Sequence, residues 1–227
     1  MNSLFKLLQL SDPTLPIGSF AHSAALETYV EQGIVSNAET ALLFIHNMLS
    51  KNIQYTDAAL VSLAYDAAEI SDIDELLLLD EECSAIKTPW ETKEASQKLG
   101  IRLLRVFAPM VVNSTASQFA SIVFNKQSPG NYSIAFGIIA SNLKIEKKDT
   151  LSGFYYNATV GMITNSVKLI PLGQQQGQEL LFSLDNLLTE LVANSLNPDQ
   201  ERIGLCNAAF DIRAMQHERL YSRLYMS

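Results

Sequence analysis

Residues 179–196 read ELLFSLDNLLTELVANSL and decide the fold class. Their apolar side chains recur every three or four positions, as on one broad face of an α-helix. That face carries Leu180, Leu184, Leu187 and Leu191, and it is flanked by Leu181, Leu188 and Val192. The segment therefore predicts one long amphipathic helix.

The same helical spacing extends outward from this segment, interrupted by Pro and Gly. It predicts helices at about 19–32, 56–69, 74–86, 92–108, 114–126, 132–143 and 149–169, one that begins after Asn37, and a final one at about 201–224. Alternation with period two is never sustained. We therefore predict an all-α protein, a single-domain helical bundle of about ten helices that spans residues 1–227.

A few residues predict local features of these helices. Asn37 suits a helix N-cap, and either Asp72 or Asp74 suits the start of a later helix. Gly33 suits the residue after a helix, and Pro109 should end or kink its helix. Gly137 lies inside an apolar helical segment, where glycine costs roughly 1 kcal/mol relative to alanine. We therefore expect Gly137 to permit close packing of two helices.

Composition limits the classes of function. The chain has 227 residues, 48% of them hydrophobic and 18% charged, and its net charge is −8. Negative charge disfavours binding to nucleic acid. Apolar runs are too short to span a membrane, and the N-terminus lacks the basic region of a signal peptide, so we expect a cytoplasmic protein. The two cysteines, Cys83 and Cys206, form no redox or metal-binding motif.

Motifs for catalysis or metal binding are weak. The histidines, His22, His46 and His217, are far apart, and the chain has no phosphate-binding loop, dinucleotide fingerprint or nucleophile elbow. Between residues 52 and 86 the chain has acids but no Lys or Arg, which favours solvated helix faces or a docking face for a basic partner. The run 80–82 is acidic and leaves open a magnesium-dependent all-α enzyme, although a second acidic motif is absent.

The C-terminal residues 214–227 are unusually rich in Tyr, Leu, Met and Arg. On a helix, Tyr221, Leu224 and Tyr225 would share one apolar face, and Arg219 and Arg223 would share another. One interpretation is a last helix docked on its own core. The other is a recognition tail for another protein, since Tyr and Arg are enriched at interface anchors.

Four stretches resemble the urease accessory protein family UreF. They are residues 7–20, followed by Ser23, Leu26 and Glu27; residues 132–137; residues 167–174, with Gln178; and residues 215–227. The last, which contains His-Glu-x-x-Tyr-Ser-Arg-Leu, is the most specific. The chain departs from the family pattern at His22, Asn131 and Tyr225.

The resemblance implies a non-enzymatic, all-helical scaffold for urease maturation that needs no cofactor or metal ligands of its own. Members of the family bind UreD, also called UreH, through their terminal regions, form dimers and recruit the GTPase UreG to apo-urease. The assembly couples GTP hydrolysis to nickel delivery. Two alternatives remain open: a dimeric helical regulator unrelated to nickel, and the magnesium-dependent all-α enzyme.

The resemblance also suggests partner-binding residues, most of them in two terminal segments, about 1–20 and 210–227. For UreD we expect an exposed Leu15 and Phe20, although the turn chemistry of Pro13, Pro16 and Gly18 alone could explain that loop. The expected contacts in the matching stretches are Leu15, Phe20, Glu27, Lys168, Gln174, Gln178, His217, Glu218, Tyr221, Ser222, Arg223, Leu224 and Tyr225. Of these, Lys168, Gln174 and Gln178 would contact UreG, although Lys168 also suits compensation of a helix dipole.

Overall fold

The computed structural model describes residues 3–19, 22–23, 25–205, 208–221 and 223–226. The regular elements in these ranges are helical, which confirms the all-α, single-domain prediction. The α-helices are α1 Ser3–Leu10, α2 Leu26–Glu31, α3 Ala38–Lys51, α4 Asp57–Glu69, α5 Ile73–Ile86, α6 Trp90–Phe107, α7 Thr115–Phe124, α8 Tyr132–Asn142, α9 Lys147–Leu169, α10 Gln174–Ser183, α11 Asp185–Ser195 and α12 Ala208–His217.

Helix α8 is the centre of the fold. Every residue from Ser133 to Ser141 is buried, and α4, α5, α6, α7 and α9 pack around it. A helix that is apolar on all sides can be stable only in such an enclosed position. A Cβ atom on Gly137 would lie 2.5 Å from the carbonyl oxygen of Val61 on α4, so the predicted close packing is confirmed.

Local cap chemistry sets several helix boundaries as predicted. The Asn37 side chain accepts a hydrogen bond from the Thr40 N–H, and Asp72 accepts one from the Glu75 N–H. Gly33 has φ of +70° just after α2, and α6 ends at Phe107, before Pro109. Unpaired backbone groups at these helix ends thus have local partners.

The predicted single helix over 179–196 is wrong in its continuity, although its apolar face is buried as expected. The chain forms α10 and α11, which are separated at Leu184. The Ser183 hydroxyl donates to the Leu180 carbonyl, and the Leu184 N–H donates to Leu181, which closes a tighter turn. Asp185 then begins α11, where a carboxylate is favoured by the helix dipole.

Two further helix predictions are too long. In place of the predicted helix at 19–32, α2 begins at Leu26. Ala25, just before it, has φ of +62°, a left-handed conformation that does not continue a helix. Phe20, Ala21 and Ala24 lie outside the described residues. The predicted helix at 201–224 is reduced to α12, which ends at His217. Beyond it, the Arg219 N–H donates to Gln216 and the Leu220 N–H donates to His217, in a tight turn.

Across the described ranges, the helices lack the combined length and hydropathy that crossing a bilayer requires.

Candidate partner-docking site

Helix α12 packs along α2 and against the N-terminal end of α6. Its side of this contact includes Asp211, which accepts a hydrogen bond of 2.9 Å from the Thr88 hydroxyl. Gln216 accepts one of 3.1 Å from the Gln32 amide. These contacts join the first turn of α12 to the residues just before α6, and its last turn to the C-terminal end of α2.

Three ionisable side chains meet at this junction: Glu27 of α2, Glu91 of α6 and His217 of α12. We call them the clasp. The His217 Nε2 lies 3.1 Å from Oε2 of Glu27, and its Nδ1 lies 2.6 Å from Oε2 of Glu91. Both carboxylates stand in the first turn of their helices and His217 stands in the last turn of its own, so all three complement the helix dipoles.

The clasp also holds the C-terminal segment. Oε1 of Glu27 accepts a hydrogen bond of 2.6 Å from the Leu224 N–H, and Oε2 accepts one of 3.1 Å from the Tyr225 N–H. Arg223 Nη1 donates to Oε1 of Glu91 at 2.6 Å. The segment is therefore bound to the body through both its backbone and its guanidinium group.

Burial divides the side chains of this segment into two sets. His217 is 0% exposed, Glu27 is 9% exposed and Tyr225 is 6% exposed. Burial raises the pKa of the Tyr225 hydroxyl, and the neighbouring Glu27 carboxylate raises it further. Tyr221 is fully exposed and Leu224 is 66% exposed, so these two side chains are available to another molecule.

Several predicted contact residues are placed differently from the expectation. The sequence predicted an exposed Leu15, but Leu15 lies in the core, because the turn closed by its N–H to the Asp12 carbonyl folds the side chain inward. The predicted helical face of Tyr221, Leu224 and Tyr225 does not form, since α12 ends before them. Glu218 is exposed, and Phe20 and Ser222 lie outside the described residues.

The second group of predicted contacts lies at the junction of α9 and α10. Lys168 is exposed in the last turn of α9, where its charge complements the helix dipole. Gln174 and Gln178 are exposed on the first turns of α10. The three residues thus share one surface-exposed junction of two helices.

A groove of about 310 Å³ lies between α6 and α9, and it extends from Lys168 to Phe210 of α12. It links the junction of α9 and α10 with the helix that precedes the C-terminal segment. His22 lines the groove, and burial lowers the pKa of its imidazole, assisted by the positive charges of Lys98 and Arg102.

An ion pair between Asp57 and Lys87 also lines the groove. Lys87 Nζ lies 2.8 Å from each carboxylate oxygen of Asp57, and the Ser133 hydroxyl donates to Asp57 at 2.6 Å. Burial alone would raise the pKa of Asp57, but the Lys87 ammonium and these hydrogen bonds outweigh it and lower that pKa. Burial likewise opposes the charge of Lys87, but Asp57 raises the pKa of Lys87 above its ordinary value.

The acidic run at 80–82 has a structural use. Asp80 is buried and accepts hydrogen bonds from the Ser128 hydroxyl and from the N–H groups of Gly130 and Asn131, so it orders the loop before α8. Glu81 and Glu82 are exposed. Within the part of the chain that the structure describes, His, Cys, Asp and Glu side chains do not gather in groups of three or more that could hold a metal ion.

Glu91 is not among the contact residues predicted from the sequence. In the sequence, Glu91 is recognisable only as an acidic residue in the first turn of a helix that follows Pro89, a feature common to many helices. The exposed Trp90 beside it was missed as well.

The fold and the site together define an all-α protein that carries exposed aromatic and basic side chains on a C-terminal segment bound to its own body. The family model described as UreF matches residues 35–185, and a protein of Actinobacillus pleuropneumoniae named urease accessory protein UreF is 47% identical over 227 residues, 100% of both chains. The chain belongs to the UreF family of urease accessory proteins.

More distant relatives support the same assignment. A protein of the same name from Haemophilus influenzae (strain PittEE) is 45% identical over 100% of this chain and 97% of its own length. One from Lachnoclostridium phytofermentans is 31% identical over 100% of this chain and 99% of its own.

Proposed function

We propose that this chain is a cytoplasmic, homodimeric, non-enzymatic scaffold of urease maturation. It bridges UreD, bound to apo-urease, to the GTPase UreG, and so couples GTP hydrolysis to nickel delivery. Membership of the UreF family supports the role in urease maturation. Nickel is the cargo of the assembly in this proposal.

One observation carries the UreD contact: the C-terminal segment is anchored to the body yet leaves Tyr221 and Leu224 exposed. A large apolar side chain on a held backbone costs little entropy to bury on binding, and Tyr is a frequent hot-spot residue. Arg219, also exposed, adds positive charge at the edge of this surface.

The first experiment is co-expression with UreD and UreG, followed by size-exclusion chromatography with light scattering. The wild type is compared with a chain that ends at Gln216. We expect the wild type to form a complex of several subunits and the shortened chain to lose UreD. As a matched control, Phe182→Ala removes an exposed aromatic side chain from α10, and it should leave UreD binding unchanged. Full recovery of UreD by the shortened chain would contradict the proposed contact.

The UreG contact is assigned to Lys168, Gln174 and Gln178, because these exposed polar side chains cluster at one helix junction. Lys168→Glu reverses one charge there and should weaken UreG capture while leaving UreD bound. The change also opposes the α9 dipole, at a cost of about 0.3–1 kcal/mol, which is too small to unfold the domain. Lys148→Glu, at the exposed opposite end of α9, is the control. Equal UreG capture by both variants would refute this assignment.

A further inference from the structure

The groove between α6 and α9 combines apolar walls with a small group of polar side chains. Its walls include Leu99 of α6, Phe154 and Met162 of α9, and Phe210 of α12. Ligand pockets in proteins have volumes of about 300–1,000 Å³ and are mostly apolar, with a few polar groups that fix the orientation of the ligand. The groove, at about 310 Å³, therefore has room for one small molecule.

Four polar residues of the groove lining lie together; we call Asp57, Lys87, Ser96 and Tyr132 the polar cluster. The Ser96 Oγ accepts a hydrogen bond of 3.3 Å from the Tyr132 N–H. The next residue along the chain, Ser133, donates its hydroxyl to Asp57 at 2.6 Å, and Asp57 pairs with Lys87. Burial raises the pKa of the Tyr132 hydroxyl, and the nearby charge of Asp57 raises it further, so this hydroxyl stays protonated. The four residues thus form one connected site.

The polar cluster has more donor hydrogens than acceptors. An ammonium group has three N–H donors, and a hydroxyl has one O–H donor. The Lys87 ammonium bonds only to the two oxygens of Asp57, so at least one of its N–H groups has no acceptor in the described part of the chain. The hydroxyls of Ser96 and Tyr132 also have no acceptor among the described residues. Lys87 and Ser96 are both buried, and buried donors are normally satisfied, which points to an acceptor from outside the chain.

The charges around the polar cluster favour a neutral acceptor over an anion. Asp57 and Lys87 balance each other's charge. Burial opposes the charge of Lys87, but Asp57 and, more weakly, Asp211 raise its pKa, so Asp211 is a second negative charge near this ammonium. An anion bound here would meet negative charge that nothing in the pair balances. A neutral oxygen satisfies the same donors and adds no charge to a buried site.

We propose that this groove binds a small, neutral, largely apolar molecule that carries a carbonyl oxygen, as a ketone or an amide does. The carbonyl oxygen accepts hydrogen bonds from the Tyr132 hydroxyl and from the remaining N–H of Lys87. The apolar part lies against Leu99, Phe154 and Met162. The groove includes Lys168 of the proposed UreG contact, but the test below uses the isolated chain, so it stands independently of the proposed function.

Three probes with closely matched skeletons test the class of ligand on the full chain. They are acetophenone, a neutral ketone; cumene, the corresponding hydrocarbon; and benzoate, the corresponding carboxylate. Binding is followed by NMR titration, with the ¹³C-labelled methyl group of Met162 as the reporter within the groove. We expect acetophenone to shift this signal and benzoate to bind at least about tenfold more weakly, because its charge has no counter-ion in the polar cluster.

Tyr132→Phe tests the hydrogen bond to the carbonyl oxygen. It should weaken acetophenone binding about three- to tenfold and leave cumene binding unchanged, because cumene has no acceptor. The variant should keep the thermal stability of the wild type, since the hydroxyl it removes has no partner among the described residues. Tyr156→Phe is the matched control: Tyr156 is an exposed tyrosine of α9 outside the groove lining, and its loss should change neither probe's affinity.

Gly161→Leu tests the location of the site. Gly161 lines the groove, and a Cβ atom there would meet no described atom within 4 Å, so a leucine takes up groove space without a collision at its Cβ. We expect this variant to lose both acetophenone and cumene. If it fails to fold, the shift of the Met162 methyl signal in the wild type locates the site instead.

Four results would overturn the proposal. A Met162 signal that acetophenone does not shift shows that water satisfies the donors and that the groove is not a ligand site. Benzoate binding as tight as that of acetophenone overturns the neutral class. An equal loss of cumene and acetophenone in Tyr132→Phe shows that the hydroxyl acts only through the shape of the groove. Unchanged acetophenone binding in a folded Gly161→Leu protein places the probe elsewhere.

Discussion

Replacement of Lys87 by Met should destabilise the fold strongly, because it leaves Asp57 without its counter-ion. Lys87 is only 8% exposed and contacts both oxygens of Asp57, which begins α4 and also accepts from Ser133 of central helix α8. Removing one partner of a buried pair costs about 3–5 kcal/mol. The Asp57 side chain is 22% exposed and keeps its bond from Ser133, so we place the loss near the lower end, about 3 kcal/mol.

The assay is urea unfolding at pH 7, followed by circular dichroism, together with thermal unfolding. In a protein of this size, about 3 kcal/mol corresponds to a fall in Tm of roughly 6–12 °C. Lys98→Met is the control, since Lys98 pairs with Glu94 at the surface, where such pairs contribute about 0–1 kcal/mol. The double variant Asp57→Asn with Lys87→Met should regain most of the lost stability, because no buried charge remains unpaired.

The refuting result is specific. If Lys87→Met costs no more than Lys98→Met, or if the double variant is as unstable as the sum of its single changes, the pair does not behave as a buried, coupled ion pair.

Further predictions concern packing, the loop before α8 and pH. Gly137→Ala should lower the free energy of unfolding by at least about 2 kcal/mol, because its Cβ would collide with the α4 backbone. Gly161→Ala, whose Cβ would meet no described atom within 4 Å, should raise it by about 0.5–1 kcal/mol. Urea unfolding of both variants measures the two changes. Asp80→Asn should cost about 2–3 kcal/mol, measured in the same way, because it weakens charge-assisted bonds to loop N–H groups. The lowered pKa of Asp57 stabilises the wild type above roughly pH 4, and this contribution is lost as pH falls through the folded-state pKa. The raised pKa of Lys87 stabilises it below roughly pH 10, and this contribution is lost as pH rises further. Unfolding between pH 5 and 9 should therefore show no change from this pair. In Lys87→Met the ammonium no longer opposes the effect of burial, which raises the pKa of Asp57, so the stability deficit of this variant should shrink as pH falls.

Features set by local chemistry were predictable from the sequence. Asn37 and Asp72 cap their helices through residues three positions further along the chain. Gly137 indicates close helix packing, because a glycine inside an apolar helix is otherwise unfavourable. Such signals lie within one helix turn of the residue concerned.

Features that depend on distant partners were not predictable. At the end of α12, His217 contacts the carboxylates of Glu91 and Glu27, which lie 126 and 190 positions away in the sequence. The residues after His217 keep a helical apolar spacing, so the sequence does not indicate these contacts. The break at Leu184 has a local cause, the hydrogen bonds of Ser183 and Leu184, but the apolar spacing continues across it and gives no sign of it. Glu91 was missed because an acid near a helix start has the same local signal whether it binds solvent or a distant histidine.

The sequence separation within the clasp has a consequence for the order of folding. Bringing together two groups 190 residues apart in an unfolded chain costs roughly 5 kcal/mol of loop-closure entropy, more than the about 1.5–3 kcal/mol that the bond between Glu27 and His217 returns. The helical body must therefore form first and hold the first turns of α2 and α6 within reach of α12. The clasp then closes as the last step, so on unfolding it should be the first contact to open.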